Sequence, residues 1–255
     1  KTVQTQKYMM HALGGANGKN SYINSVEVLR ELYMSGYRLY EVDINLTSDD
    51  KAVLVHGWSK ADYEKRIGIV NYDINAIDSK GKYIPTFNNF MNFQIQGKYA
   101  ASSFQELVDF MKSAKDMFVM IDIGRRTYDE TKHIYEVLVS ATADDQILKR
   151  FIVGGHTKDM ISAVRDTYDF ELYNLYLASE DKREADWLEI KGFINYCHEN
   201  GISSFSVSSK VYDKEIAGLM DESDLICYVF TVNSISEEEK FRKLGVEIVG
   251  TDFLR

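Results

Sequence analysis

Short runs rich in β-branched and aromatic residues alternate along this chain with longer stretches whose apolar positions recur every three or four residues. The strand candidates are Tyr8–Leu13, Arg38–Ile44, Phe118–Ile123, Phe151–Gly155, Glu171–Leu177, Ser204–Ser208, Ile226–Val232 and Glu247–Gly250. Between them lie the helix candidates Ser25–Ser35, Ser103–Ala114, Asp129–Ala141, Lys158–Thr167, Glu184–Asn200, Lys214–Met220 and Ser236–Leu244. Several stop at a glycine, as at Asn200-Gly201 and Leu244-Gly245. Repeated βα units demand a parallel sheet, and eight strands at this spacing close into a barrel. The pattern therefore predicts an α/β protein, a (β/α)8 TIM barrel. A doubly wound open sheet is the competing arrangement, but no glycine-rich turn opens a helix after an early strand.

Two features break the alternation. Val42–Thr47 runs through Ser48-Asp49-Asp50-Lys51 straight into Ala52–His56, a connection short enough only for antiparallel strands, so a β-hairpin is appended to the barrel. A turn centred on Asp49-Asp50 would set Asp43 directly opposite His56. The second break is residues 57–102, rich in Asn, Tyr and Phe and carrying the single proline, Pro85. A stretch that long without strong periodicity reads as a lid-like insertion over the barrel mouth, or equally as an aromatic cap with a structural role. Residues 1–255 are otherwise one barrel domain.

Composition adds limits. The chain is 45% hydrophobic and 27% charged, an ordinary globular profile, and no apolar run reaches the roughly 20 residues that span a bilayer. A net charge of −9 with scattered basic residues argues against nucleic acid as a partner. Cys197 and Cys227 lack metal-ligand spacing and read as buried thiols. Because the chain starts at Lys1, a leader or anchor would not be visible in it.

Barrel active sites sit at the C-terminal ends of the strands. His11 lies at the end of the first strand, Glu41 and Asp43 in the second, and Asp122 in the third in barrel order. Glu41 and Asp43 are two apart, so both project to one face of a strand. Like charges aimed into a barrel call for a cation between them, and an all-oxygen set favours one Mg²⁺ or Ca²⁺. His11 and His56 beside such an ion suit acid–base chemistry on a phosphate ester. His156 follows a strand on the same face and is a candidate substrate contact, as is Phe230; His133 and His198 fall inside helices and read as surface residues.

These residues carry a resemblance. His11-Ala-Leu-Gly-Gly, Asn24-Ser25, Glu41-Val-Asp43, Thr47-Ser-Asp49-Asp50 and Val53-Leu-Val-His56, with Val229-Phe-Thr-Val-Asn233 and Leu244-Gly-Val-Glu-Ile-Val-Gly-Thr-Asp252, are similar to the glycerophosphodiester phosphodiesterase family. The resemblance implies a phosphodiesterase barrel, a metal on Glu41, Asp43 and Asp122, and catalytic histidines at His11 and His56. It implies a small phosphodiester or lipid head-group substrate. Departures stand at Ala12, where the family has Arg, at Gly57 for Asp, at Asp122 for Glu, and at Gly124 for Lys. Arg125, Arg126 and Lys210 are the available replacements for the two lost phosphate contacts. The Gly-Gly motif looks like a bacterial subgroup related to phosphatidylinositol-specific phospholipase C. The expected location leans to extracytoplasmic or cell-surface, the cytoplasm staying open. Cleavage of intact lipid, and a barrel that only binds phosphorylated polyols, are the alternative functions.

Overall fold

In the computed structural model, which describes residues 3–69, 83–177 and 190–255, eight parallel strands close on themselves. In chain order the strands are β1 (Tyr8–Met10), β2 (Leu39–Leu46), β3 (Ala52–Leu54), β4 (Gln94–Ile95), β5 (Tyr99–Ala100), β6 (Phe118–Asp122), β7 (Phe151–Gly155), β8 (Leu172–Leu177), β9 (Ser204–Ser208), β10 (Ile226–Phe230) and β11 (Ile248–Thr251). The barrel runs β1-β2-β6-β7-β8-β9-β10-β11 and returns to β1, so none of these eight strands is left as an edge. The (β/α)8 architecture is the one the alternation demands.

The helices are α1 (Val26–Met34), α2 (Lys60–Asp62), α3 (Phe87–Met91), α4 (Phe104–Ser113), α5 (Tyr128–Thr142), α6 (Asp145–Leu148), α7 (Lys158–Arg165), α8 (Ile190–Glu199), α9 (Lys214–Asp221) and α10 (Ile235–Lys243). Their starts are written locally. Ser103 and Thr127 cap the backbone N–H of Glu106 and Glu130, whose carboxylates reach back to the capping residues. Residues 184–189 of the expected helix Glu184–Asn200 lie outside the described residues, as do residues 70–82 of the insertion.

Strand alternation divides the core into two. Met9, Leu39, Met120, Ile152, Tyr176, Tyr228 and Ile248 fill the barrel interior, while their sequence neighbours pack outward against the helices. Along β2 the inward set is Leu39, Glu41 and Asp43, and along β6 it is Phe118, Met120 and Asp122. The interior is thus acidic at the top, above a mostly apolar filling that also holds the hydrogen-bonded Asn174, Ser204 and Ser206.

Two expectations need correction. The first strand ends at Met10, because Ala12 (φ 49°) and Leu13 (φ 61°) take left-handed conformations and wind His11–Leu13 into a tight turn. The hairpin register is one residue off the expected one. The turn has three residues, closed by Thr47 N–H donating to the Lys51 carbonyl, with Asp50 left-handed at φ 62°. Asp43 therefore faces Val55, whose N–H donates to its carbonyl at 3.0 Å, and not His56.

The described parts of the insertion pack rings together: Trp58 meets Phe90 edge-on at 5.5 Å and Tyr63 meets Phe93 at 6.3 Å. Inside the barrel, Gly154 leaves no room for a side chain, since a Cβ there would lie 1.7 Å from the Asn174 carbonyl oxygen of β8. Gly154→Ala should therefore force β7 and β8 apart and cost about 1–3 kcal/mol or more, read as a lower urea midpoint at unchanged slope.

Candidate active site

Pairing of β2 with β6 sets Asp43 beside Asp122, and Glu41 lies two residues back on the same inward face. One carboxylate oxygen from each of Glu41, Asp43 and Asp122 lies within 4.8 Å of the others. Each carboxylate is met by a neutral donor. The Ala12 N–H donates to Glu41 Oε2 at 2.7 Å, Asn24 Nδ2 to Asp43 Oδ2 at 2.9 Å, and the Gly124 N–H to Asp122 Oδ1 at 2.6 Å. The Asp43 N–H returns a bond to Asn24 Oδ1 at 3.1 Å, which fixes the amide's orientation.

The charges remain in conflict. Burial, then the neighbouring charge of Asp43, pushes the Glu41 carboxyl well above the usual carboxylate range. Burial raises Asp43 as well. Burial acts in the same sense on Asp122, but His156 beside it and the Gly124 N–H outweigh that and hold it low. Glu41 Oε1 is buried without a hydrogen-bond partner. Three hard oxygen donors, two of them raised by burial with repulsion added and one with an orphaned atom, fit a divalent cation.

Two histidines flank the triad, and each is oriented by its own aspartate. His11 Nδ1 lies 2.8 Å from Asp252 Oδ1, and His56 Nδ1 lies 2.8 Å from Asp62 Oδ1. Asp252 is held in turn by Asn233, whose Nδ2 donates to Oδ2 at 2.7 Å. Asp62 accepts from the Ser59 hydroxyl at 2.6 Å and from Arg66 Nη1 at 2.7 Å. Burial lowers the His11 pKa, but the Asp252 bond and the charges of Glu41 and Asp43 overcome this and lift it to about 9. His56 is raised for the same kind of reason, through Asp62 and Asp43. The Tyr22 ring stands between the two imidazoles, edge-on to His11 at 4.8 Å and to His56 at 5.3 Å.

Two spaces adjoin the triad, and Asp122 lines both. A chamber of about 30 Å³ is lined by His11, Glu41, Asp122, Tyr176 and Phe230 among others. A second cavity, of about 190 Å³, is lined by Asp43, Asn45, His56, Trp58, Asp122 and Arg126 among others. His11 is 8% exposed and buried against the chamber, whereas the His56 side chain is 38% exposed.

The remaining candidates divide. Phe230 lines the chamber, and His156 stacks on Tyr176 with its Nε2 3.7 Å from Asp122. Arg125 and Lys210 are exposed in loops after β6 and β9 and line neither space; Arg126 does. His56 reaches the site although the expected register fails, because the chain bends out of β3 after Val55. Sequence reasoning missed Asp62 and passed over Asp252 as an orienting group. Asp252 sits in a quoted motif, and its pairing with Asn233 was the available signal; Asp62, six residues past His56 in an irregular stretch, offered none.

No curated protein matches the chain. Among solved structures it is similar to a candidate glycerophosphoryl diester phosphodiesterase from Silicibacter pomeroyi DSS-3, at 13% identity over 97% of this chain and 90% of that one, with a TM-score of 0.78. A glycerophosphodiester phosphodiesterase from Parabacteroides distasonis ATCC 8503 gives 16% identity, 96% and 93% coverage, and a TM-score of 0.68. A phosphodiesterase from Oleispira antarctica, solved with the product sn-glycerol-3-phosphate, gives 10% identity, 97% and 93% coverage, and a TM-score of 0.72. These likenesses carry the fold. The description "Glycerophosphoryl diester phosphodiesterase family" matches residues 15–255, nearly the whole chain. With that match over a barrel of this kind, the chain belongs to the glycerophosphoryl diester phosphodiesterase family and is a phosphoric diester hydrolase.

Proposed function

We propose that the chain hydrolyses glycerophosphodiesters to glycerol phosphate and an alcohol, with proton transfers at His11 and His56 and one Mg²⁺ or Ca²⁺ held by Glu41, Asp43 and Asp122. The observation that carries this reading is the matched pair of histidines, each tied through Nδ1 to a carboxylate at 2.8 Å on either side of a buried acidic triad. The substrate class is supported by the family and by the glycerol phosphate found with the Oleispira antarctica relative.

A carboxylate on Nδ1 keeps the proton there in the neutral ring and leaves Nε2 as the reacting atom. One histidine must accept a proton from the attacking hydroxyl while the other, protonated, donates to the leaving alkoxide. When bound, the cation supplies positive charge to the phosphoryl oxygens. Asp252 and Asp62 hold the rings in place and stabilise the imidazolium forms, and Tyr22 keeps the rings apart. Among the described residues of the insertion, Trp58, Tyr63, Phe90 and Tyr99 are buried and Tyr83, Phe87 and Phe93 half-buried, so no ring there is fully exposed to seat on a lipid surface, which favours a small head group.

Three outcomes test the reading. His11→Ala and His56→Ala should each lower kcat on glycerophosphodiesters by about 10²–10⁴-fold, with circular dichroism unchanged. Asp43→Asn should weaken Mg²⁺ and Ca²⁺ binding in calorimetry, and metal loading should raise the melting temperature of the wild type but not of this variant. An unchanged affinity for both ions would dissolve the metal assignment. The third concerns route. The free hydroxyl beside the phosphate can outcompete water through an effective molarity of about 10⁵ M or more, giving a cyclic phosphate first. A substrate with that hydroxyl methylated should then be cleaved slowly, and phosphorus NMR should detect the cyclic product early. Full-speed cleavage of the blocked substrate would leave direct attack by water instead.

A further inference from the structure

A guanidinium lines the larger cavity and has no part in the proton transfers. Arg126 lines that space together with Asp43, His56 and Asp122. It arrives there because Gly124, at φ +66°, turns the chain back directly after β6, a conformation that suits glycine. Arg126 Nη2 then donates to Asn45 Oδ1 at 2.6 Å, and Nη1 donates to the Arg125 carbonyl at 3.1 Å.

Asn45 is a fixed anchor. It is 6% exposed, and its Nδ2 donates to the carbonyls of Val55 and His56 at 3.0 Å each, which leaves its oxygen turned to the arginine. A neutral acceptor positions a guanidinium without cancelling its charge. Among the described residues no carboxylate forms an ion pair with Arg126, although Asp43 and Asp122 line the same cavity. Arginine has five N–H donors, and the two bonds above leave others for a ligand. A guanidinium held by a neutral acceptor in the same cavity as two of the three triad carboxylates is suited to meet an oxyanion drawn to a cation there.

We propose that Arg126, anchored by Asn45, binds a non-bridging oxygen of the substrate's phosphate. This deepens the phosphodiesterase reading and rests on it. Arg126 acts through binding, whereas His11 and His56 act through proton transfer, so the two assignments separate by experiment.

The test uses the metal-loaded wild type with Arg126→Ala and Arg126→Lys. Calorimetry with sn-glycerol 3-phosphate measures phosphate affinity, with glycerol as the uncharged comparison. Titration with Mg²⁺ and Ca²⁺ measures the metal site, and hydrolysis of a glycerophosphodiester gives kcat and KM. Arg126→Ala is expected to weaken glycerol phosphate binding and raise KM by about 10- to 100-fold, the worth of one charge-assisted hydrogen bond. Metal affinity should stay at the wild-type value, and Arg126→Lys should fall between. Should the alanine variant fail to fold by its melting curve, the lysine variant carries the same comparison. An affinity and KM within twofold of wild type overturns the proposal while wild-type turnover keeps the phosphodiesterase reading. A parallel loss of metal affinity marks a structural role and also overturns it. A wild type that neither cleaves glycerophosphodiesters nor binds glycerol phosphate with either ion removes the underlying reading, and the proposal with it.

Discussion

Three carboxylates share one small volume at the top of the barrel, and their repulsion is the constraint that the surrounding structure answers. Among the described residues no Lys or Arg forms an ion pair with Glu41, Asp43 or Asp122. Their hydrogen bonds come from two backbone N–H groups and an amide, which hold position without cancelling charge. Placing those donors requires unusual backbone: Ala12, Asn24 and Gly124 sit at φ 49°, 48° and 66°. Left-handed geometry at a non-glycine residue costs roughly 1–2 kcal/mol, and it recurs here at the segments that face the triad. The negative charge kept uncancelled in this way is what makes the site suited to a cation, and it adds to the hydrogen bonds from Asp252 and Asp62 that raise the two histidines.

The barrel makes the cluster possible by registry. Side chains two apart on β2 point inward at successive heights, and parallel pairing with β6 puts Asp122 at the height of Asp43. Below this layer the interior is closed by Met9, Leu39, Met120, Ile152, Tyr228 and Ile248. This buried and mostly apolar floor, whose polar groups Asn174, Ser204 and Ser206 are hydrogen-bonded to one another, lowers the local dielectric, so charge at the rim is felt strongly across the site. The floor is therefore part of the electrostatics as well as of stability.

The loops above the strands supply what the strands cannot. Asp252 follows β11 and reaches His11 across the closure of the barrel, while Asp62 follows β3 and reaches His56. Arg66, Ser59 and Tyr22 connect this second arm to the first, with the Arg66 guanidinium 4.8 Å from the Tyr22 ring. Trp58, Tyr63 and Phe90 join the outer core, and the Trp58 indole donates to the Leu46 carbonyl of the hairpin, so the segment that carries Asp62 is packed down on the barrel. Each histidine thus has a separate support, and the triad stands between them.

The sequence by itself determined the alternation of eight strands with helices, and with it the closed barrel, because periods of two and of 3.6 are local properties of side-chain direction. It also determined that Glu41 and Asp43 share a face, and which strand ends carry His11 and Asp122. Only the tertiary structure decided the rest. A left-handed Asp50 added one residue to the hairpin turn, and the pattern of apolar residues could not register that shift; His56 came to the site through a bend beyond the strand. The partners Asp252 and Asp62, and the placement of Arg126 rather than its neighbour Arg125 in the cavity wall, depend on contacts that loops make after the barrel has closed. Loop contacts of that kind carry no periodicity, so they exist only in three dimensions.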